Sequence, residues 1–161
     1  MVELKNENIL KNTLLASDLI KQIKSENIKM LKNKILLIED NLINIKVATC
    51  LLSTLGISDI HVARCGAEAI ELFSEYDYSL ILLDIGLPDI SGFDICKKLK
   101  NISKKHAQPI IAFTAFSEIK DECLSSGFDD FISKPLDFKK LEKLINKWIF
   151  NQNVHFTSKV I

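Results

Sequence analysis

Between Lys34 and Trp148 short, wholly apolar runs alternate with longer segments of helical period. A strand that is apolar on both faces must be covered on both, which is how a parallel sheet flanked by helices reads. The runs are Ile35-Leu36-Leu37-Ile38, Ile60-His61-Val62-Ala63, Leu80-Ile81-Leu82-Leu83, Ile110-Ile111-Ala112-Phe113 and, weakest, Phe131-Ile132, each followed by a polar or glycine-bearing turn. Helices are expected at about 42–55, 66–75, 91–100, 117–126 and 137–149. The last is the clearest: Leu136, Leu141, Leu144, Ile145 and Trp148 share one face and Lys139, Lys140, Glu142, Lys143 and Lys147 the other. Asp137 can accept from first-turn amides, and Gly56 and Gly127 stand where helices end. Right-handed crossovers leave few sheets for five such units, and the expectation is an α/β, flavodoxin-like, doubly wound five-stranded parallel sheet of order 2-1-3-4-5 with five helices.

A chain of 161 residues can bury a core without disulfides or metals, and 47% hydrophobic with 26% charged residues is a globular composition. Lysine and arginine (21) balance aspartate and glutamate (21), so no bulk charge attracts nucleic acid. No run approaches the roughly eighteen apolar residues of a membrane helix, and MVELKNENILKNTLL is too polar and acidic for a secretory signal. A cytoplasmic location without membrane contact is expected. Cys50, Cys65, Cys96 and Cys123 never reach a CxxC spacing and the three histidines are scattered, so neither zinc nor disulfides are suggested and buried, reduced thiols are expected.

In a sheet of this order chemistry collects beyond the carboxyl ends of the strands. There the sequence places Glu39 and Asp40 after the first strand, Asp84 after the third, Thr114 after the fourth and Lys134 after the fifth. Each alone is ordinarily a solvated turn residue; four strand ends supplying acid, acid, hydroxyl and ammonium together are not. Crowded carboxylates repel by about 1 kcal/mol per pair at about 4 Å even in water, so cations belong among them. Magnesium takes oxygen ligands, one or two carboxylates plus phosphate oxygens and waters. Asp40 and Asp84 suit that role with Glu39 behind a water, leaving Asp84 able to act as a nucleophile toward phosphorus while Thr114 and Lys134 grip the phosphoryl oxygens.

With these residues in place, ILLIEDN (35–41), LILLDIGLPDISG (80–92), IIAFTAF (110–116) and DDFISKP (129–135) resemble the receiver domains of two-component signalling, over about Lys34 to Trp148. The resemblance implies that Asp84 is the phosphorylated aspartate, Glu39 and Asp40 the acidic pair, and Gly86 the position whose backbone carbonyl ligates Mg2+. It also implies that Thr114 is the switch hydroxyl, Lys134 the site lysine, and Phe131 the aromatic that swings inward as the hydroxyl moves. The Lys134-Pro135 bond would be cis. A histidine kinase or histidine phosphotransfer protein would be the donor, and phosphate would shift a protein-binding face between two conformations. Asn41 and Asn44, in EDNLIN, resemble receivers attached to hybrid sensor histidine kinases and some single-domain receivers, and otherwise read as helix-capping residues. Phe131 reads equally as simple packing on an edge strand.

Gly86, two beyond Asp84, and Phe116, two beyond Thr114, depart from common receiver residues at positions that in this family influence access of water to the acyl phosphate, and slow self-dephosphorylation is expected. Two rival readings stay open. LLDIGLP also resembles aspartate-nucleophile phosphatases, but these usually carry a second aspartate where Gly86 stands. A receiver that binds partners without phosphorylation is the other, against which every acidic and switch position is present. A nucleotide-binding domain is disfavoured by EDN in place of a glycine-rich turn after the first strand.

Domain boundaries are expected at 1–33, a helical extension or linker carrying Leu10, Leu14, Ile20, Ile23, Ile28 and Leu31, at 34–150, the receiver, and at 151–161, a tail. With no DNA-binding or catalytic output domain after Trp148, output is expected by protein contact or onward phosphotransfer, with catalysis limited to self-catalysed transfer and hydrolysis at Asp84.

Overall fold

A computed structural model describes residues 15, 17–21, 33–102 and 108–150. The chain divides into two compact units, Met1–Lys32 and Asn33–Ile161. In the first, residues 17–21 are helical and expose Leu19 and Ile20; the remaining expected helix and the tail lie outside the described residues.

The second unit follows the expected alternation. Strands β1 (Lys34–Ile38), β2 (Asp59–Ala63), β3 (Leu80–Asp84), β4 (Ile110–Thr114) and β5 (Asp130–Ser133) are separated by helices α1 (Leu42–Thr54), α2 (Gly66–Glu75), α3 (Gly92–Ile102) and α4 (Lys120–Ser125), and α5 (Phe138–Ile145) closes the unit. All pairings are parallel, in the order β2-β1-β3-β4-β5. Period-two alternation splits each strand between two cores. Leu36, Ile38, Ile81, Leu83, Ile110 and Ala112 pack toward Ala69 and Phe73 of α2, Ile95 and Leu99 of α3 and Cys123 of α4. Ile35, Leu37, Leu80, Leu82, Ile111 and Phe113 pack toward Ala48 and Leu52 of α1 and Leu141, Leu144 and Ile145 of α5. Burying each such side chain contributes roughly 1.5–3 kcal/mol, which makes the strands rigid mounts for whatever follows them.

Three details differ from the sequence reading. The expected 117–126 helix begins as a 3-10 turn, Ser117–Ile119, because Phe116 at its cap position supplies no side-chain acceptor. The last helix ends in a π turn, Asn146–Phe150. Only Cys96 and Cys123 are buried; Cys50 lies on the outward face of α1, Cys65 is half-buried at the start of α2, and all four are free thiols. Asp137 caps α5 through Lys140 N, as its sequence position suggests.

Candidate functional site

Glu39 directly follows β1 and is fully buried. Its backbone amide continues the sheet ladder to the Ala63 carbonyl at 3.0 Å. Its Oε1 accepts from Asn41 N at 3.1 Å and from Asn44 Nδ2 at 3.3 Å. Asn41 also caps α1, its Oδ1 accepting from the amides of Ile43 and Asn44 at 2.9 and 3.1 Å. Asn44 is therefore more than a first-turn residue: its side-chain amide orients the buried carboxylate. EDNLIN alone could not separate that role from capping, because it depends on the angle at which β1 feeds α1.

Asp84 ends β3 and is 6% exposed; Thr114 ends β4 and is 1% exposed. Register places Asp84 beside Phe113 and Thr114 beside Ser133, so the two strand ends lie side by side. Lys134 follows β5, and its backbone amide donates to the Thr114 carbonyl at 2.8 Å. The Lys134-Pro135 bond is cis. The Lys134 ammonium donates to Asp84 Oδ2 at 2.7 Å and lies 4.6 Å from the centroid of the Phe113 ring. It also stands 2.5 Å from Glu39 Oε2. That last contact pairs the buried Glu39 carboxylate with the same ammonium.

One carboxylate oxygen each from Glu39, Asp40 and Asp84 lies within 4.8 Å of the others. Three carboxylates against one ammonium carry two excess negative charges when ionised, and an all-oxygen donor set lacks soft ligands. Those features fit a hard divalent cation such as magnesium. Gly86 flanks the cluster, its amide donating to Asp84 Oδ1 at 3.1 Å. Phe116, 55% exposed, donates its amide to Thr114 Oγ1 at 3.3 Å.

Of the residues expected to converge, Glu39, Asp40, Asp84 and Lys134 do, and Thr114 lies on the neighbouring strand end. Phe131 stands slightly apart, half-buried on β5 opposite Ala112 and packed on the α2–α4 side of the sheet. Just before it, Asp130 accepts from Phe131 N, from Lys147 Nζ at 2.7 Å and from Trp148 Nε1 at 2.8 Å. Burial alone raises this carboxyl; the hydrogen bonds from Lys147, Trp148 and the Phe131 amide outweigh it and hold the group below its usual range.

A doubly wound sheet with an acidic, oxygen-lined cleft at its carboxyl edge defines a class of flavodoxin-like domains. Within it the chain belongs to the response regulator receiver domain family, whose sequence model matches residues 35–146. Among relatives, the aerobic respiration control sensor protein ArcB of Escherichia coli (strain K12) is 41% identical over 116 residues, covering 71% of this chain and 15% of ArcB. Hybrid signal transduction histidine kinase L of Dictyostelium discoideum is 36% identical over 131 residues, covering 76% of this chain and 8% of the kinase. The chain thus spans a small fraction of these relatives. Among solved structures, the receiver domain of sensor histidine kinase PA1611 from Pseudomonas aeruginosa PAO1, with magnesium coordinated in its active-site cleft, matches with a TM-score of 0.66 at 29% identity over 73% of this chain and 98% of that one. Response regulator TrrA from Thermotoga maritima, in complex with Mg(2+)-BeF, matches with a TM-score of 0.65 at 28% identity over 72% and 98%.

Proposed function

We propose that this chain is a phosphoacceptor receiver in which Asp84 takes a phosphoryl group from a phosphohistidine on a histidine kinase or histidine phosphotransfer protein. The observation that carries the reading is the gathering of carboxylate oxygens from Glu39, Asp40 and Asp84 within 4.8 Å of one another, with the ammonium of Lys134 against Glu39 and Asp84. Asp40, Asp84 and the backbone carbonyl of Gly86 would hold Mg2+, with Glu39 reaching it through water, and the ion supplies positive charge against which phosphoryl oxygens collect.

In the transfer a carboxylate oxygen of Asp84 forms a P–O bond as the P–N bond of the donor breaks, the imidazole keeping that bond's electron pair. Lys134, already 2.7 Å from Asp84, moves its hydrogen bond from carboxylate to phosphoryl oxygen. Thr114 offers a hydroxyl from the adjacent strand end, and its movement toward phosphate draws Phe131 inward. The acyl phosphate selects one of two pre-existing arrangements of the β4–β5 edge.

The donor is received on α1. Leu42, Ile43 and Val47 are 65%, 73% and 42% exposed, an apolar strip that opens two residues after Asp40 and so adjoins the cleft. No helix among the described residues is long and apolar enough to cross a membrane, and the reading places this domain in the cytoplasm. The deciding experiment is transfer of labelled phosphate from a phosphorylated histidine phosphotransfer domain: wild type is expected to acquire the label and Asp84→Asn not. Equal labelling of both would overturn the assignment.

A further inference from the structure

Helix α2 starts without a cap of its own. Cys65 stands at the cap position with extended backbone and makes no side-chain hydrogen bond to the first turn. The acceptor comes instead from elsewhere in the chain: Gly66 N donates to Asp89 Oδ2 at 2.8 Å. Asp89 belongs to the segment between β3 and α3, residues 85–91, which directly follows the phosphoacceptor Asp84. An anionic acceptor at a helix amino terminus meets both the unpaired amide and the positive end of the helix dipole.

The same segment is tied at its other points. At its beginning Gly86 N donates to Asp84 Oδ1 at 3.1 Å. At its end Gly92 N donates to the Ile85 carbonyl at 3.2 Å, and Ser91 caps α3 through its Oγ and its carbonyl. Gly92 lies so close to the strand end that a Cβ there would stand 2.6 Å from both the Asp84 carbonyl oxygen and Ile85 Cα. In the middle Asp89 reaches α2, at a point where a Cβ on Gly66 would come within 2.9 Å of Ile95 Cδ1 and 3.3 Å of Asp89 Oδ2 itself. Bare backbone is needed at Gly92, where the neighbours are backbone atoms; at Gly66 they are side-chain ends packed close around the amide.

We infer that Asp89 is a positioning residue for the cleft: by capping α2 from the β3–α3 segment it holds the Gly86 backbone against Asp84. The inference rests on reading Asp84 and Gly86 as the phosphoacceptor and metal-holding positions, and it adds a mechanical link that reading lacks. Through Asp89 the first turn of α2 senses whether the cleft is loaded, because ligating the segment at Gly86 steadies the acceptor on which Gly66 depends.

The competing description makes Asp89 a remote helix cap and nothing more. The two differ in what Asp89→Ala does to residues 85–91, and Asp89→Asn, which keeps an acceptor oxygen for Gly66 N, provides the rescue. On the full chain, hydrogen–deuterium exchange without metal reports the segment, and amide chemical shifts titrated with magnesium chloride alone report the cleft. In Asp89→Ala exchange is expected to accelerate across residues 85–91, and half-saturation to move to about ten-fold higher magnesium, as when an outer partner of a metal ligand is lost; Asp89→Asn is expected to restore most of both. Faster exchange confined to the first turn of α2, with the magnesium midpoint unchanged, would overturn the inference. A wild type whose cleft amides ignore magnesium would count against the metal reading itself, and the exchange comparison would still decide whether Asp89 clamps the segment.

Discussion

Lys134 Nζ stands 2.7 Å from Asp84 Oδ2 and 2.5 Å from Glu39 Oε2, so one ammonium draws together the ends of β1, β3 and β5. Replacing it by methionine keeps the stem and removes the charge. Phosphorylation by a small donor is expected to slow about 100-fold, the scale of losing one preorganised electrostatic contact in a reacting site. A rate within a few-fold of wild type, measured on protein shown to be folded, would remove Lys134 from the chemistry.

Removing a negative charge acts oppositely on stability. Asp84→Asn relieves the crowding of Glu39, Asp40 and Asp84 within 4.8 Å of one another. Two repulsions of about 1 kcal/mol each are relieved and the attraction of the Lys134 ammonium, 2.7 Å away, is lost, so a net gain of about 1 kcal/mol is expected to raise the melting temperature without magnesium by about 3 °C. Added magnesium should stabilise wild type more than the variant, since a ligand that binds the native state raises stability by mass action. A calorimetric scan showing equal magnesium shifts would contradict a metal site built on Asp84.

Asp130 carries a pH dependence of defined sign. Burial raises its carboxyl, but hydrogen bonds from Lys147, Trp148 and the Phe131 amide carry it below the ordinary 3.8. A carboxyl depressed on folding contributes stability that is present above 3.8 and is lost as pH falls through the folded value. Asp130→Asn is therefore expected to be less stable than wild type by about 1 kcal/mol at neutral pH, and the gap should close below pH 3.8. Urea titrations followed through Trp148, whose Nε1 donates to Asp130, would show a pH-independent gap if this is wrong.

The apolar strip on α1 separates docking from chemistry. Ile43→Glu, at a residue 73% exposed, is expected to leave labelling by acetyl phosphate unchanged and to weaken transfer from a phosphotransfer protein by about ten-fold or more, the loss of one interface anchor. Equal rates from the protein donor would place docking elsewhere.

Much of this is legible in the sequence. Leu80-Ile81-Leu82-Leu83 is apolar throughout because β3 sits between two helical layers, and parallel order alone brings Glu39, Asp84, Thr114 and Lys134 to one edge. What stayed hidden depends on contacts between distant segments. Asp89 reads locally as a turn residue until α2 arrives with an uncapped Gly66. Asn44 reads as a helix-capping residue until Glu39 turns back toward it. The outward apolar side of α1 carries no period to mark it, since α1 is apolar nearly all round.

The most direct measurement is the intact mass of wild type and of Asp84→Asn after incubation with acetyl phosphate, with and without magnesium, followed over time once the donor is removed. A gain of one phosphoryl group that requires both magnesium and Asp84 is expected, and with Gly86 and Phe116 offering no polar side chain to orient an attacking water it should decay slowly. No gain, or a gain that survives in Asp84→Asn, would contradict the assignment, and decay within seconds would contradict the slow hydrolysis.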